Sequence, residues 1–379
     1  MRHATPLAAY KHSHARPGYW ELTVETTGTP ETWGFYITNP NGDGVYVDWG
    51  DSSNDTYTGG GGRVVREHSY ASPGTYKVRI SGRSTVLDLS HATYAPMVKA
   101  TGVVDGIVGI NSIYSMFRGC INITSIPNDL FWYLPSTGIS NTGYVFSGAG
   151  ITSIPPDLFK YNMQDSNYIG YMFQSCTGIT SVPSGLFDGF DSTVTTAIYA
   201  FSGCSNLTTI PSGLLDTLTG LGVAYNMFAY SGITSIPYGL FDNCPLTSIN
   251  AIFTTCTALT SIPDGLFAGK TTITSGQYPF KTCYNLITLG SGVFSGCTGM
   301  TNITQHFYGC SNIITLPPDT YSGLDGSLTN VTQAFYNCNK ITSASIPFWD
   351  WTTPPTTTSN CYQFCTSMSD YATIPAGYK

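Results

Sequence analysis

The sequence predicts a mostly β protein in two unequal parts: a small antiparallel β-sandwich, followed by a long solenoid of stacked coils. Three observations lead there. One phrase returns again and again from about residue 110 onward, and ahead of it apolar and polar residues alternate with period two. Composition agrees, because 41 Gly and 22 Pro against only 10% charged residues favour turns and short strands over helices. With 41% hydrophobic residues in 379, the chain has the apolar mass for a sizeable core.

Residues 1–17 form an N-terminal arm that carries His3, His12 and His14 with Arg2, Lys11 and Arg16. A docking or flexible segment is expected there rather than a metal chelator. The stretch lacks the apolar run of about 7–15 residues that marks a secretory signal. No run approaches the roughly 20 residues of a membrane span, so none is expected. The expectation is a processed chain, or one that leaves its cell outside the general secretion route.

Residues 18–83 supply five alternating runs, WELTVET, WGFYITN, VYVDWGD, VVREHSY and GTYKVRISG, broken by Gly, Pro and Asn. Period two at this spacing predicts the strands of a small sandwich. VDWGDSS followed by HSYASPGTYKVRISG resembles PKD-type immunoglobulin-like domains, through Asp48, Trp49, Gly50, Asp51, His68, Tyr70, Gly74, Thr75, Tyr76 and Val78. The carboxylates Asp48, Asp51 and Asp55 suit either a calcium ion or a tight turn, and the turn is the expectation. His68 is expected to pack on its strand. Residues 84–109 keep an apolar rhythm without the full phrase, as the cap and joint of a solenoid would.

From residue 110 to 379 the phrase reads F, two small residues, C, two polar residues, I or L, T, S, I, P. Its Phe anchors are Phe117, Phe146, Phe173, Phe201, Phe228, Phe253, Phe280, Phe307, Phe335 and Phe364, spaced 25 to 29 residues apart. An apolar-Pro pair keeps step from Ile126-Pro127 to Ile374-Pro375, with Leu289-Gly290 as the exception. Each copy predicts one coil, with a short strand such as LTTI laid parallel on its neighbour about 4.8 Å away and ended by the proline, which has no N–H to offer. Ile113, Ile169, Ile249, Ile303 and Val331, four residues before an anchor, predict a helical or 3₁₀ turn across the coil.

FRGCINITSIP, FQSCTGITSVP, FSGCSNLTTIP and FTTCTALTSIP resemble the BspA or Treponema-type leucine-rich repeats of bacterial surface and phage proteins. The resemblance implies a leucine-rich-repeat solenoid of about ten coils used for adhesion or recognition. GLFDG joints and slightly long repeats depart from that pattern.

Seven of the eleven cysteines (Cys120, Cys176, Cys204, Cys256, Cys283, Cys310 and Cys338) follow an anchor by three residues, and Ala149, Ser231 and Ser367 replace Cys in other coils. Small residues can stand in for a packed thiol but not for half a disulfide, so a column of reduced thiols is expected, as suits assembly in a reducing compartment. CYQFC has the wrong spacing for a zinc pair, and a Cys361–Cys365 bridge stays open.

A net charge of −7 without clustered Lys and Arg argues against a nucleic-acid partner. His306, the one histidine of the repeats, has no carboxylate or thiol in a catalytic pattern beside it, and the Asp residues of the joints recur with the coil as turn residues would. No cofactor, metal site or enzymatic activity is expected. The binding expectation is a hydroxyl ladder of Thr124, Thr152, Thr180, Thr208, Thr234 and Thr260 on one face, which is also what strand propensity alone would select. The reading is a structural and recognition protein of a phage particle, joined to other virion proteins through the arm and the immunoglobulin-like module and meeting a host-cell protein or glycan with its solenoid. The alternative is a bacterial cell-surface adhesin of the BspA type.

Overall fold

The computed structural model describes residues 18–38, 44–58, 61–134 and 138–379; the expected arm at residues 1–17, with His3, His12 and His14, lies outside them. The described chain is mostly β, with no α-helix and four short 3₁₀ turns. None of its helices is long and apolar enough to cross a membrane.

Alternation shapes the first part. In β1 (Trp20–Thr26) every second residue is buried, and in β2 (Glu31–Thr38) Trp33, Phe35 and Ile37 point inward. β3 (Val45–Asp48), β4 (Asn54–Tyr57), β5 (Arg63–Tyr70) and β6 (Gly74–Arg83) follow, and the next segment adds β7 (Val86–Asp88), β8 (Val98–Thr101) and β9 (Ile107–Val108). One sheet has the order β4-β3-β6-β1-β8 and the other the order β5-β2-β7. Their buried residues join one core around Trp20, Trp33 and Trp49, the last two packed edge to face at 6.1 Å. The Tyr70 hydroxyl donates to the Trp49 carbonyl at 3.0 Å, which ties β5 to the turn after β3.

Residues 84–109 connect in both directions. β7 pairs with β2, β8 pairs with β1, and β9 runs parallel to β6. Leu89 N–H donates to Met116 O and Val104 N–H to Leu130 O, both at 2.9 Å, so the same segment holds the first coil. Trp20 meets Phe117 edge to face at 5.8 Å across that junction.

Beyond it the chain is a stack of coils with constant inner columns. Phe117, Phe146, Phe173, Phe201, Phe228, Phe253, Phe280, Phe307 and Phe335 are fully buried. Consecutive rings lie nearly parallel, with centroids 5.5 Å apart for Phe201 and Phe228 and 5.4 Å for Phe117 and Phe146. A second column stacks in two runs, Phe131 on Phe159 and then Phe241 through Phe267 and Phe294 to Tyr321, with Leu215 at the same position in a coil between them.

Around each anchor, alternate N–H groups point in two directions. Ser115, Phe117 and Gly119 donate to Gly143, Val145 and Ser147 of the next coil, while Met116, Arg118 and Cys120 donate back three residues within their own coil. This needs a left-handed residue two before and two after each anchor. Tyr144 (φ 57°), Tyr171 (φ 59°) and Tyr199 (φ 56°) serve in the first position, and Gly119, Gly203 and Gly309 in the second. The turn expected before each anchor is therefore 3₁₀-like but interrupted by a left-handed residue, which stops any helix.

Two details differ from the sequence expectation. The LTTI segment is a ladder of single contacts rather than a run of full strands; only β10 (Ser261–Ile262) and β11 (Thr288–Leu289) form a two-residue parallel pair. Proline follows within three residues and leaves room for little more. In the last coil the anchor is Tyr362, not Phe364: Tyr362 stacks on Phe335 at 5.2 Å, while Phe364 is 49% exposed in a left-handed conformation. Cys365, not Ser367, then falls in the thiol column.

Candidate recognition surface

The stack sorts side chains by repeat position, so a surface column is built from one residue per coil. Thr124, Thr152, Thr180, Thr208, Thr234 and Thr260 are all exposed and follow each other along the stack. Thr152 N–H donates to Thr124 O at 3.0 Å, and the same bond links Thr208 to Thr180, Thr234 to Thr208 and Thr260 to Thr234. The hydroxyls of Thr152, Thr208, Thr234 and Thr260 donate to the same preceding carbonyls at 3.1 to 3.4 Å. Their protons are thus used within the stack. The face offers outside partners hydroxyl lone pairs and methyl groups, and it continues as Ile287 and Ile314, 44% and 48% exposed.

A second outer column was not singled out in the sequence. Tyr144, Tyr171 and Tyr199 occupy the left-handed position before their anchors, and their rings stack at 4.2 Å and 4.8 Å. Tyr114 and Tyr225 close the row edge to face at its two ends. Arg118 lies over the Tyr144 ring at 4.9 Å. Desolvation pushes the Tyr199 phenol up to about 12. The signal that could have found this row is a Tyr two residues before three consecutive anchors.

The cysteines face inward. All eleven are buried free thiols. Cys176 Sγ donates to Phe146 O at 2.9 Å, and Cys204, Cys256, Cys283, Cys310, Cys338 and Cys365 do the same to the Phe carbonyl one coil earlier. Cys297 repeats the contact in the second column, to Phe267 O at 3.0 Å. Burial pushes Cys204 up to about 12 and Cys297 up to about 11, so neither is a nucleophile at neutral pH.

Asp48, Asp51 and Asp55 turn to separate partners. Asp48 accepts Gly50 N–H at 3.0 Å, Asp51 meets His68 Nε2 at 2.7 Å, and Asp55 accepts Trp49 Nε1–H at 2.8 Å. His68 stacks on Trp49 at 5.0 Å. Among the described residues no group of three or more His, Cys, Asp or Glu side chains converges as a metal site.

Residues 222–323 match the BspA type leucine rich repeat region, in six copies. Among solved structures the chain is similar to a leucine-rich repeat protein from Bacteroides ovatus, with 16% identity, 79% of this chain and 94% of that one covered, and a TM-score of 0.22. A leucine rich cell surface protein from Faecalibacterium prausnitzii aligns at 13% identity over 76% of this chain and 89% of that one, with a TM-score of 0.26. A leucine-rich repeat protein from Eubacterium ventriosum aligns at 15% identity over 76% and 90%, with a TM-score of 0.19. No curated protein matches.

Proposed function

We propose that this chain is a non-enzymatic recognition protein displayed on an extracellular surface, whose leucine-rich-repeat solenoid carries the binding face. One observation carries the reading: inner columns are uniform, while beside the Thr ladder an exposed column changes from coil to coil. The anchor column is Phe from Phe117 to Phe335, whereas the exposed position four residues after the anchor holds Ile121, Thr177, Ser205, Thr257, Tyr284 and Asn339 in different coils. Packing constrains the first kind of position, and a partner is what remains to shape the second.

The match of residues 222–323 to BspA type repeats supports a cell-surface adhesin. Eleven thiols without a disulfide support assembly in a reducing compartment and release on a phage particle. In either setting the two sheets of the first part, read as a PKD-like immunoglobulin-like domain, attach the chain together with its arm. The solenoid then meets a host-cell protein or glycan, with Thr124, Thr152, Thr180, Thr208, Thr234 and Thr260 as the proposed contact ladder.

Two measurements test this. Immunogold labelling of a producing culture before and after lysis distinguishes virus particles from cell envelopes; label on neither would overturn surface display. Capture of target cells by the full chain should be lost in Thr180→Lys/Thr208→Lys if the Thr face binds. Unchanged capture by the folded variant removes that face from the proposal.

A further inference from the structure

A cleft of about 500 Å³ opens between the three-stranded sheet and the first two coils. The sheet side contributes Arg63, Asp88 and Ser90, and the coils contribute Ser112, Arg118 and Asn141. Hydroxyls, an amide, guanidinium groups and the Asp88 carboxylate supply the polar part of its wall, and Val86 and the Tyr114 ring belong to its apolar part.

The charges in the cleft are not equivalent. Asp88 is buried and fully engaged: Arg63 Nη2 donates to one carboxylate oxygen and Ser90 N–H to the other at 2.7 Å. Arg63 is itself seated over the Tyr36 ring at 3.6 Å and donates to Ser90 Oγ at 3.1 Å. That pair is neutral and fixed. Arg118 is exposed, is held over Tyr144, and has no ion-pair partner among the described residues. The cleft thus carries one surplus guanidinium in a wall of hydroxyls, on a protein whose net charge is −7.

We propose that this cleft binds the carboxylate of an acidic sugar, such as a uronic or sialic acid, within a glycan chain that runs on along the tyrosine row. Arg118 presents the planar fork that takes a carboxylate through two parallel bonds. Ser90 and Ser112 suit the ring hydroxyls of a sugar. The row of Tyr114, Tyr144, Tyr171 and Tyr199 begins at the cleft and leads away from it, with Tyr114 edge-on to Tyr144 and the Tyr144, Tyr171 and Tyr199 rings stacked face to face. An acidic peptide fits less well, because the wall has no deep apolar pocket for an anchor side chain. The site does not depend on the Thr face.

The test is binding of the full chain to an array of uronate-containing, sialylated and neutral glycans, with an acidic peptide in competition. Acidic glycans should be retained over neutral ones, and the retention should weaken as salt rises. Arg118→Gln should lose about tenfold or more in affinity, the scale of hydrogen bonds to a charged group. Arg118→Lys, with the charge but not the fork, should fall between. Unchanged melting temperatures establish that these surface variants fold, and Thr180→Lys/Thr208→Lys should bind as the parent does. Retention of no acidic glycan, equal retention of neutral ones, stronger binding of the acidic peptide, or an Arg118→Gln variant indistinguishable from the parent would each overturn the proposal.

Discussion

His306 Nδ1 and the Tyr321 hydroxyl share a hydrogen bond of 2.9 Å in the interior of the stack, fifteen residues apart in sequence. Each departs from its own column. His306 stands where other coils place Met116, Met172, Met227 or Ile252, and Tyr321 stands in the column of Phe267 and Phe294. In this bond the Tyr321 hydroxyl and His306 Nδ1 each supply the partner that the other would otherwise lack in the interior.

Acid should weaken the protein through this pair. Burial pushes His306 down to about 3, weakly opposed by the Gly276 backbone, and its Nε2 has no partner in hydrogen-bond geometry. The unfolded chain takes up a proton near pH 6.5 and the folded chain near 3. Stability from this source is therefore complete above about pH 6.5 and falls as pH drops towards 3. His306→Met/Tyr321→Phe should flatten the fall between pH 7 and pH 4 in urea titrations. A parallel acid slope in parent and double variant would assign it to other groups.

The thiol column makes a separate prediction. The Cys256 thiol donates to Phe228 O at 3.1 Å, and burial holds its pKa well above the usual thiol range. Maleimide at pH 7.5 should leave the native protein unlabelled and reach all eleven cysteines only after unfolding. Cys256→Ala should cost about 1–2 kcal/mol, for a lost hydrogen bond and a small void. Cys256→Ser should cost less, since Ser231 already meets the same carbonyl at 2.7 Å. Equal losses in denaturant would show that the hydrogen bond contributes nothing.

How much of this was legible is decided column by column. The inner columns could be read directly, because packing imposes one residue type at one spacing: Phe201, Cys204, Leu207 and Ile210 recur in kind through the repeats and are all buried. The anchor of the last coil lies two residues before its expected place because Tyr362 replaces Phe and a phenylalanine follows at the left-handed position. Hydroxyl direction was also hidden. Nothing in the spacing of Thr208 and Thr180 says that the Thr208 hydroxyl donates inward to a backbone carbonyl rather than outward to a ligand. The cleft beside Arg118 joins residues more than fifty apart and has no local signature.

Close backbone approach predicts the cost of a single methyl group. A Cβ on Gly189 would lie 1.7 Å from Phe159 O of the preceding coil, whereas a Cβ on Gly138, with φ +92°, would meet nothing within 4 Å. Gly189→Ala should therefore destabilise by about 3 kcal/mol, as overpacking against fixed backbone does. Gly138→Ala carries only the strain of a left-handed backbone, about 1 kcal/mol. Thermal unfolding of both variants separates clash from strain; similar shifts in melting temperature would mean that the coils slide apart easily.

The ring column predicts how damage spreads. Phe201 is fully buried between Phe173 at 5.5 Å and Phe228 at 5.5 Å. Truncating a core Phe to Ala costs about 3–5 kcal/mol. In a stack where each coil touches only its neighbours, that loss is felt locally before it is felt globally. Phe201→Ala should speed amide exchange at Phe173, Phe201 and Phe228, whose N–H groups bridge to the next coil, and leave Phe307 and Phe335 close to their parent rates. Exchange that rises uniformly from the first coil to the last would mean that the stack unfolds as one cooperative unit, with coupling between coils stronger than the interaction removed.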